Sequence, residues 1–267
     1  MMSLDVRSSH FMIHRDFHRE RMDGFLREKL AGSREFPCGR MPPSLTVSRQ
    51  CGAGTSRIGR QLVEYLDTVD ESAVNGWAFF DQSLIGKIIE EDRIPDRLHP
   101  SHCPEKVKFP RSPKLAHTLE QPRSAWTLFN FTATTIRSLC GLGSAVVAGR
   151  AGNFVTADLD NTFHVRLIGS ENKRVTYVRN RFQLSSEEAE KLVRKTDQAR
   201  ARFVRRFADA GVDDPSAYHL ILNTDDLPDH LIVRIIGDSL VEWSHEGPSN
   251  PECSGELSNV ISGEKFF

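Results

Sequence analysis

The sequence lacks several patterns that would by themselves define a class of protein. Its 267 residues include five scattered cysteines and no C-x-x-C pair, so neither a disulfide framework nor a zinc knuckle is indicated. No apolar run approaches the roughly 18 residues of a transmembrane helix, and the N-terminus has no apolar stretch like that of a signal peptide. The formal net charge of -1 gives no overall signal for binding nucleic acid or a membrane. We therefore expect a cytoplasmic protein with reduced thiols.

The amino-acid composition is that of an ordinary globular protein, but its charge is divided into blocks. Lys and Arg outnumber Asp and Glu by eleven to four over 173–206, whereas Asp and Glu outnumber Lys and Arg by twelve to two over 209–267. The basic block indicates either a segment that meets anions or the solvated face of a helix. The predicted organisation is a flexible arm over 1–43, one domain over 44–243 with an irregular proline-rich insertion over 95–122 and a basic region over 173–210, and a disordered acidic tail over 244–267.

Short apolar segments alternate with helical patterns throughout the predicted domain. Strands are expected at 45–48, 77–80, 145–148, 163–168 and 219–223, with helices after the first strand, near 124–139, from a capping box at 185–188, and after 227. This alternation predicts a mostly parallel five-stranded sheet with helices on both faces. Ligands in such sheets bind beyond the carboxyl ends of the strands, so the chemistry is expected in the loops that follow them.

The first strand runs into a glycine-containing turn that opens a helix. A phosphate-binding loop reads G-x-x-x-x-G-K-[ST], and on residues 49–56 this pattern is met by Gly54 and Ser56 only. Arg49 replaces the first glycine and Thr55 replaces the lysine, so the strict motif fails. The geometry still suits an anion, because backbone N–H groups at a helix N-terminus point toward it.

Two interpretations of this turn remain open. In the functional one, Arg57, Arg60 or Arg49 supplies the positive charge that the lysine would have carried. In the other, the segment is an ordinary tight connection between a strand and a helix.

Five segments in order resemble the cytidylate kinase-like family of P-loop nucleoside monophosphate kinases over about residues 45–226. They are S-R-Q-C-G-A-G at 48–54, F-F-D-Q-S-L-I at 79–85, V-V-A-G-R-A-G-N-F at 146–154, D-Q-A-R-A-R-F at 197–203 and Y-H-L-I-L-N-T-D at 218–225. No single segment is specific, but the ordered set is. The resemblance implies a three-layer P-loop kinase-like fold with a helical lid in the basic region.

The resemblance also implies ligands and roles for the glycine loop. ATP and Mg²⁺ would be the donor and its metal. The donor phosphates would be held by Gly52, Ala53, Gly54, Thr55, Ser56 and Arg57, and Ser56 would also be the magnesium ligand.

Further roles fall on residues near the other strand ends. Arg150, in the turn with Gly149, would grip the acceptor phosphate, and Arg200 would close the lid over the phosphates. Arg57, Arg150 and Arg200 are thus the predicted catalytic cations. Asp81 would either cap a helix or face the acceptor or the metal at the end of the sheet.

Two departures from the family pattern leave three functions open. Thr55 removes the lysine charge, and Ala151 stands where classical cytidylate kinases have an acceptor-binding aspartate. The alternatives are a kinase for CMP or dCMP, a degenerate nucleotide-binding module without turnover, and a kinase for another small phosphoryl acceptor.

Overall fold

The computed structural model describes residues 41–70, 73, 76–81, 85 and 125–246, together with Gly24. Its five strands form one sheet in the order β2-β3-β1-β4-β5, and all the pairings are parallel. The strands are β1 Ser44–Arg49, β2 Ala78–Phe80, β3 Ala145–Ala148, β4 Thr162–Ile168 and β5 Leu220–Asn223. The predicted α/β fold is confirmed, with a sheet that is wholly rather than mostly parallel.

Six helices and one short 3-10 turn accompany the sheet in the described part of the chain. They are α1 Thr55–Val69, α2 Ala125–Leu142, α3 Gly152–Val155, α4 Glu171–Phe182, α5 Ser186–Ala208 and α6 Asp229–Glu246, with the turn at Pro215–Ala217. The sequence patterns predicted α1, α2, α5 and α6, including the capping box of Ser185 and Glu188 that opens α5. They did not predict α3 or α4.

The predicted chain boundaries can be compared with the structure only in part. Helix α6 continues to Glu246, so 244–246 belong to this helix and not to the tail that was predicted to begin at 244. Most of the predicted arm, the insertion over 95–122 and the remainder of the tail lie outside the described residues. No helix among the described residues is long and apolar enough to span a membrane.

One face of the sheet is apolar and carries the larger core. Side chains alternate between the two faces of a strand, and Leu45, Val47 and Val165 all point to the side that α1 and α6 cover. Leu62 of α1 and Ile236 of α6 are fully buried against them. The amphipathic pattern that predicted α1 and α6 therefore reflects this packing.

The opposite face of the two central strands, β1 and β4, is polar. Thr46 pairs in register with His164, and Thr46 Oγ1 lies 2.8 Å from His164 Nδ1. One step further along, Arg166 Nη1 donates to Ser48 Oγ at 2.9 Å. Because buried polar groups need partners, these pairs make it possible for β1 to carry polar side chains up to its carboxyl end.

The basic region is a pair of helices, α4 and α5, that pack against each other through Val178, Ala189 and Val193. Arg194 of α5 pairs with Glu171 of α4, which links the helices at their surface. Helix α5 then continues to Phe207, which packs in a second core cluster with Phe80, Ile136 and Val147. The helix therefore runs from the basic region to the body of the domain.

The buried histidine on β4 generates a prediction about stability and pH. Burial, and then the neighbouring His219, lower the pKa of His164 from 6.5 to about 4. The folded protein keeps this ring neutral while the unfolded chain protonates it, so the free energy of unfolding falls as the pH drops from about 6.5 toward 4. The shift corresponds to about 3 kcal/mol.

We expect His164→Asn to flatten this dependence, because the variant has no ring to protonate and its amide can still bond Thr46. Urea unfolding at several pH values between 7.5 and 4.5 measures the slope for both proteins. An unchanged slope in the variant would show that His164 is not the group responsible.

Candidate functional site

A cavity of about 280 Å³ lies at the carboxyl ends of β1 and β3, beneath helix α5. Its lining includes Arg49, Arg150 and Arg200, the hydroxyls of Ser48 and Thr196, and the ring of Phe203. No Asp or Glu is among the described residues that line it. The cavity therefore offers three positive charges and an apolar wall, which suits an anion.

Arg49 ends β1 and extends across to the turn after β3. A Cβ atom on Gly149 would lie only 1.8 Å from Arg49 Nη1, so the guanidinium occupies the space where a side chain would stand. Gly149 also has a φ of +86°, a conformation that favours glycine. Both features require glycine at this position.

The positive charges of the cavity act on one another. Burial, and then the charges of Arg200 and Arg150, lower the pKa of Arg49 to about 10, while the carboxylate of Asp81 opposes this shift. Burial also lowers the pKa of Arg150. Both groups remain charged at neutral pH, and a bound anion would relieve the repulsion between them.

The turn that carries Arg150 is strained. Arg150 and Ala151 have φ values of 56° and 57°, directly after the positive φ of Gly149. A left-handed conformation costs a residue other than glycine about 1–2 kcal/mol, and such residues cluster at functional sites. The Arg150 guanidinium lies 6.0 Å from the centre of the Phe203 ring, at the cavity wall.

Arg200 reaches the cavity from helix α5. Its Nη1 donates to the carbonyl oxygen of Arg49 at 3.2 Å and lies 3.5 Å from Asp197 Oδ1. The helix that the sequence assigned to a lid is thus in contact with the glycine loop in this structure.

The glycine loop between β1 and α1 is tightly folded. Gly52 has a φ of +87°, and a Cβ there would lie 2.7 Å from the carbonyl oxygen of Arg174. Gly54 has a φ of +79° and is the N-cap of α1, and no side chain caps this end of the helix. The N–H of Arg57 bonds the carbonyl oxygen of Gly54 at 3.0 Å. The N–H groups at the very start of a helix, here those of Thr55 and Ser56, have no acceptor within the helix, so this end of α1 is suited to an anion.

Two charged residues from α4 and α5 brace this loop. Arg174 donates through Nη1 to the carbonyl oxygen of Cys51 at 2.9 Å and to Asp197 Oδ2 at 2.7 Å. Asp197 Oδ1 in turn accepts the N–H of Cys51 at 2.7 Å. The loop is therefore attached to the helical pair, and the Cys51 N–H is already occupied by a carboxylate.

The two residues at the start of α1 differ in exposure. Thr55, at the lysine position of the motif, is buried, and its Oγ1 is one of two buried side-chain oxygens without a partner in the described part of the chain. Ser56 is exposed. An exposed hydroxyl at the second helical position fits the predicted magnesium ligand, and the unpaired Thr55 hydroxyl leaves one donor for a ligand.

The remaining predicted residues divide between the cavity and its surroundings. Arg57 donates through Nη2 to Asp229 Oδ1 at 2.6 Å and lies 5.5 Å from the centre of the Tyr177 ring, outside the cavity lining. The carbonyl oxygen of Asp81 accepts the N–H of Ile85, as expected at a helix start, while its carboxylate acts on Arg49. These contacts are compatible with both predicted roles of Asp81, at the start of a helix and at the site.

Sequence reasoning missed the roles of Arg174 and Asp197 and left Arg49 as one option among three. The signal for Arg49 was available, because it fills the first glycine position of the loop motif. Arg174 and Asp197 act on a loop more than a hundred residues away along the chain, so no local pattern reveals them.

A parallel sheet in this strand order, a glycine loop after β1 and an arginine-lined cavity together define a P-loop kinase-like protein. The chain belongs to the cytidylate kinase-like family, whose profile matches residues 44–226. No curated protein matches the sequence.

Several solved structures are similar to this chain at low sequence identity. An uncharacterized protein from Eubacterium ventriosum aligns with a TM-score of 0.59 at 12% identity, covering 75% of this chain and 98% of its own. A gluconokinase from Sinorhizobium meliloti has a TM-score of 0.44 at 14% identity, covering 77% and 95%. A shikimate kinase from Bacteroides thetaiotaomicron has a TM-score of 0.43 at 11% identity, covering 76% and 98%.

The contact between Arg49 and Gly149 can be tested by adding one methyl group. We expect Gly149→Ala to destabilise the protein by about 2 kcal/mol from backbone strain and to displace the Arg49 guanidinium, weakening the binding of inorganic pyrophosphate. The control is Gly141→Ala in α2, where a Cβ meets nothing within 4 Å. Urea unfolding and calorimetric titration measure the two effects. Equal stability and equal affinity in both variants would contradict the packing described here.

Proposed function

We propose that this protein transfers the γ-phosphoryl group of ATP to a nucleoside monophosphate, with CMP and dCMP as the first candidates. One observation carries the proposal: within the described residues, the guanidinium groups of Arg49 and Arg150 donate no hydrogen bond, yet both face the cavity. Each guanidinium has five N–H donors in a fork that matches phosphate oxygens. Membership of the cytidylate kinase-like family supports kinase chemistry, and the preference for a cytidine nucleotide follows from that family by analogy.

The glycine loop would hold the donor. The amides of Gly52, Gly54, Thr55 and Ser56 would contact the β- and γ-phosphates, and the unpaired Thr55 hydroxyl would donate to a phosphate oxygen. Ser56 would hold Mg²⁺, which when bound neutralises charge on the β- and γ-oxygens.

Arg150 would hold the acceptor. A phosphate oxygen of the monophosphate attacks the γ-phosphorus of ATP, and the bond from that phosphorus to the β,γ-bridging oxygen breaks with its electron pair leaving on ADP. The products are ADP and a nucleoside diphosphate, and no proton from the protein is required. Catalysis then depends on positioning the two substrates and on stabilising negative charge.

Arg200 and helix α5 would exclude water from the reacting groups. A closed site prevents transfer to water and strengthens the electrostatic contacts inside. The hydrogen bond from Arg200 to the Arg49 carbonyl shows that α5 can lie directly on the loop.

A second candidate is a module that holds a nucleotide without turning it over. It is favoured by Thr55 at the lysine position and by the Cys51 N–H, which bonds Asp197 and is not available to a phosphate. A kinase for a different small phosphoryl acceptor is the third possibility, because Ala151 replaces the acceptor-binding aspartate of classical cytidylate kinases.

The direct test is transfer from ATP and Mg²⁺ to a panel of CMP, dCMP, UMP, AMP and GMP, with the diphosphates separated by chromatography. CDP or dCDP as the main product would support the proposal. ATP binding without any diphosphate product would contradict it and favour the module without turnover or an acceptor outside the panel.

Arg150→Ala separates binding of the acceptor from binding of the donor. We expect turnover to fall by about 10²–10³, the usual cost of losing one preorganised electrostatic contact, while ATP affinity changes little. Arg205→Ala is the matched control, since Arg205 is exposed on α5 and lies outside the cavity lining. A collapse of ATP affinity in Arg150→Ala would mean that this residue holds the donor instead.

A further inference from the structure

We propose that Arg49 replaces the missing lysine of the phosphate-binding loop, and that its guanidinium contacts the phosphoryl group in transit. This role rests on the proposed function. It would make Arg49 a catalytic residue that stabilises the transferred group, a different task from the acceptor contact assigned to Arg150.

The residue at position 55 cannot supply the positive charge of the missing lysine. Thr55 is short, buried and uncharged at physiological pH, and it begins α1 at the place where the motif has lysine. Arg49 lies at the other end of the same loop, as the last residue of β1. Its side chain passes along the strand ends until the guanidinium lies against Gly149 at the cavity wall.

The other arginines near the loop already have partners. Arg57 pairs with Asp229, Arg166 bonds Ser48 and Asp213, and Arg174 bonds Gly169, Cys51 and Asp197. These guanidinium groups are therefore engaged in holding the protein together.

Arg60, the remaining option raised by the sequence, does not line the cavity in the described part of the chain. Arg49 and Arg150 are the two cavity arginines whose guanidinium groups have no hydrogen-bond acceptor among the described residues.

Arg49 contacts both the lid helix and the turn that carries Arg150. Its carbonyl oxygen accepts a hydrogen bond from Arg200 Nη1 at 3.2 Å, and its guanidinium lies against Gly149, the residue before Arg150. Burial, and then the charges of Arg200 and Arg150, lower its pKa. A phosphoryl group that passes from the glycine loop to Arg150 would therefore meet the Arg49 guanidinium. Because Arg49 stays protonated at neutral pH, it acts as a fixed charge and does not exchange a proton during the reaction.

The test compares binding of ADP with binding of ADP plus aluminium fluoride, a mimic of the phosphoryl group in transit, with Mg²⁺ and each monophosphate of the panel. For Arg49→Met we expect ADP affinity to remain as in the wild type and the tightening caused by aluminium fluoride to fall by about 10²–10³. Arg49→Lys should keep part of that tightening. Arg234→Ala, an exposed arginine on α6, is the control and should behave as the wild type. Thermal unfolding of each variant verifies that it is folded.

A double variant tests whether a lysine at position 55 can replace the Arg49 guanidinium. Arg49→Met combined with Thr55→Lys should recover part of the fluoride-dependent tightening and part of the turnover, because a lysine at position 55 would reach the same phosphate. A purely structural role for Arg49 would not be rescued in this way.

These measurements distinguish failure of the role of Arg49 from failure of the proposed kinase function. Full fluoride-dependent tightening in a folded Arg49→Met protein would overturn the role of Arg49 and leave the proposed kinase intact. Equal loss of ADP and ADP–fluoride binding would also overturn it, since Arg49 would then support the donor site only. A wild-type protein that binds ADP without any tightening would overturn both the kinase and this role.

Discussion

Two guanidinium groups at the end of the sheet form no ion pair with a carboxylate of the described residues, and the rest of the site is arranged around them. Arg49 lies against a glycine that cannot be replaced without a clash, and Arg150 lies in a turn with two left-handed residues other than glycine. Such strain persists only where the surrounding structure imposes it. Here it brings two like charges to one cavity without a lining carboxylate. A phosphate anion in the cavity would supply the negative charge that both guanidinium groups lack.

Two other arginines near the site differ from Arg49 and Arg150, because each of them is paired with a carboxylate. Arg174 and Arg166 are buried and paired with Asp197 and Asp213, so they act as braces for the glycine loop and for the carboxyl end of β4. Both guanidinium groups are buried, so loss of the carboxylate partner would leave a buried charge uncompensated, which is destabilising. Chemically identical side chains thus occupy two different settings: paired arginines brace the loop and the end of β4, and arginines without a carboxylate partner among the described residues line the cavity.

The sheet, four of the helices and the position of the glycine loop could be predicted from sequence, because each depends on a local pattern. The apolar run at Ala145–Ala148 and the capping box at Ser185 have this character. Helix α4 was missed because its sequence is mostly polar and only Arg174 and Val178 are buried, so it has little amphipathic pattern. Helix α3 has four residues and carries no helical period.

The site was harder to predict than the fold because its contacts join distant parts of the chain. Arg49 meets Gly149, and the Cys51 amide meets Asp197. Sequence alone placed Arg57 in the catalytic group, since it follows the loop, and no local pattern indicated that its guanidinium pairs with Asp229. Whether an arginine faces a ligand or a carboxylate depends on these long-range contacts.

The most direct measurement of the central claim is a crystal structure of the protein with a non-hydrolysable ATP analogue, Mg²⁺ and CMP. The account predicts phosphate oxygens within about 3 Å of both guanidinium groups, with Arg150 on the monophosphate and Arg49 between it and the γ-phosphate. Phosphates bound elsewhere, with the guanidinium groups of Arg49 and Arg150 paired to carboxylates, would contradict it.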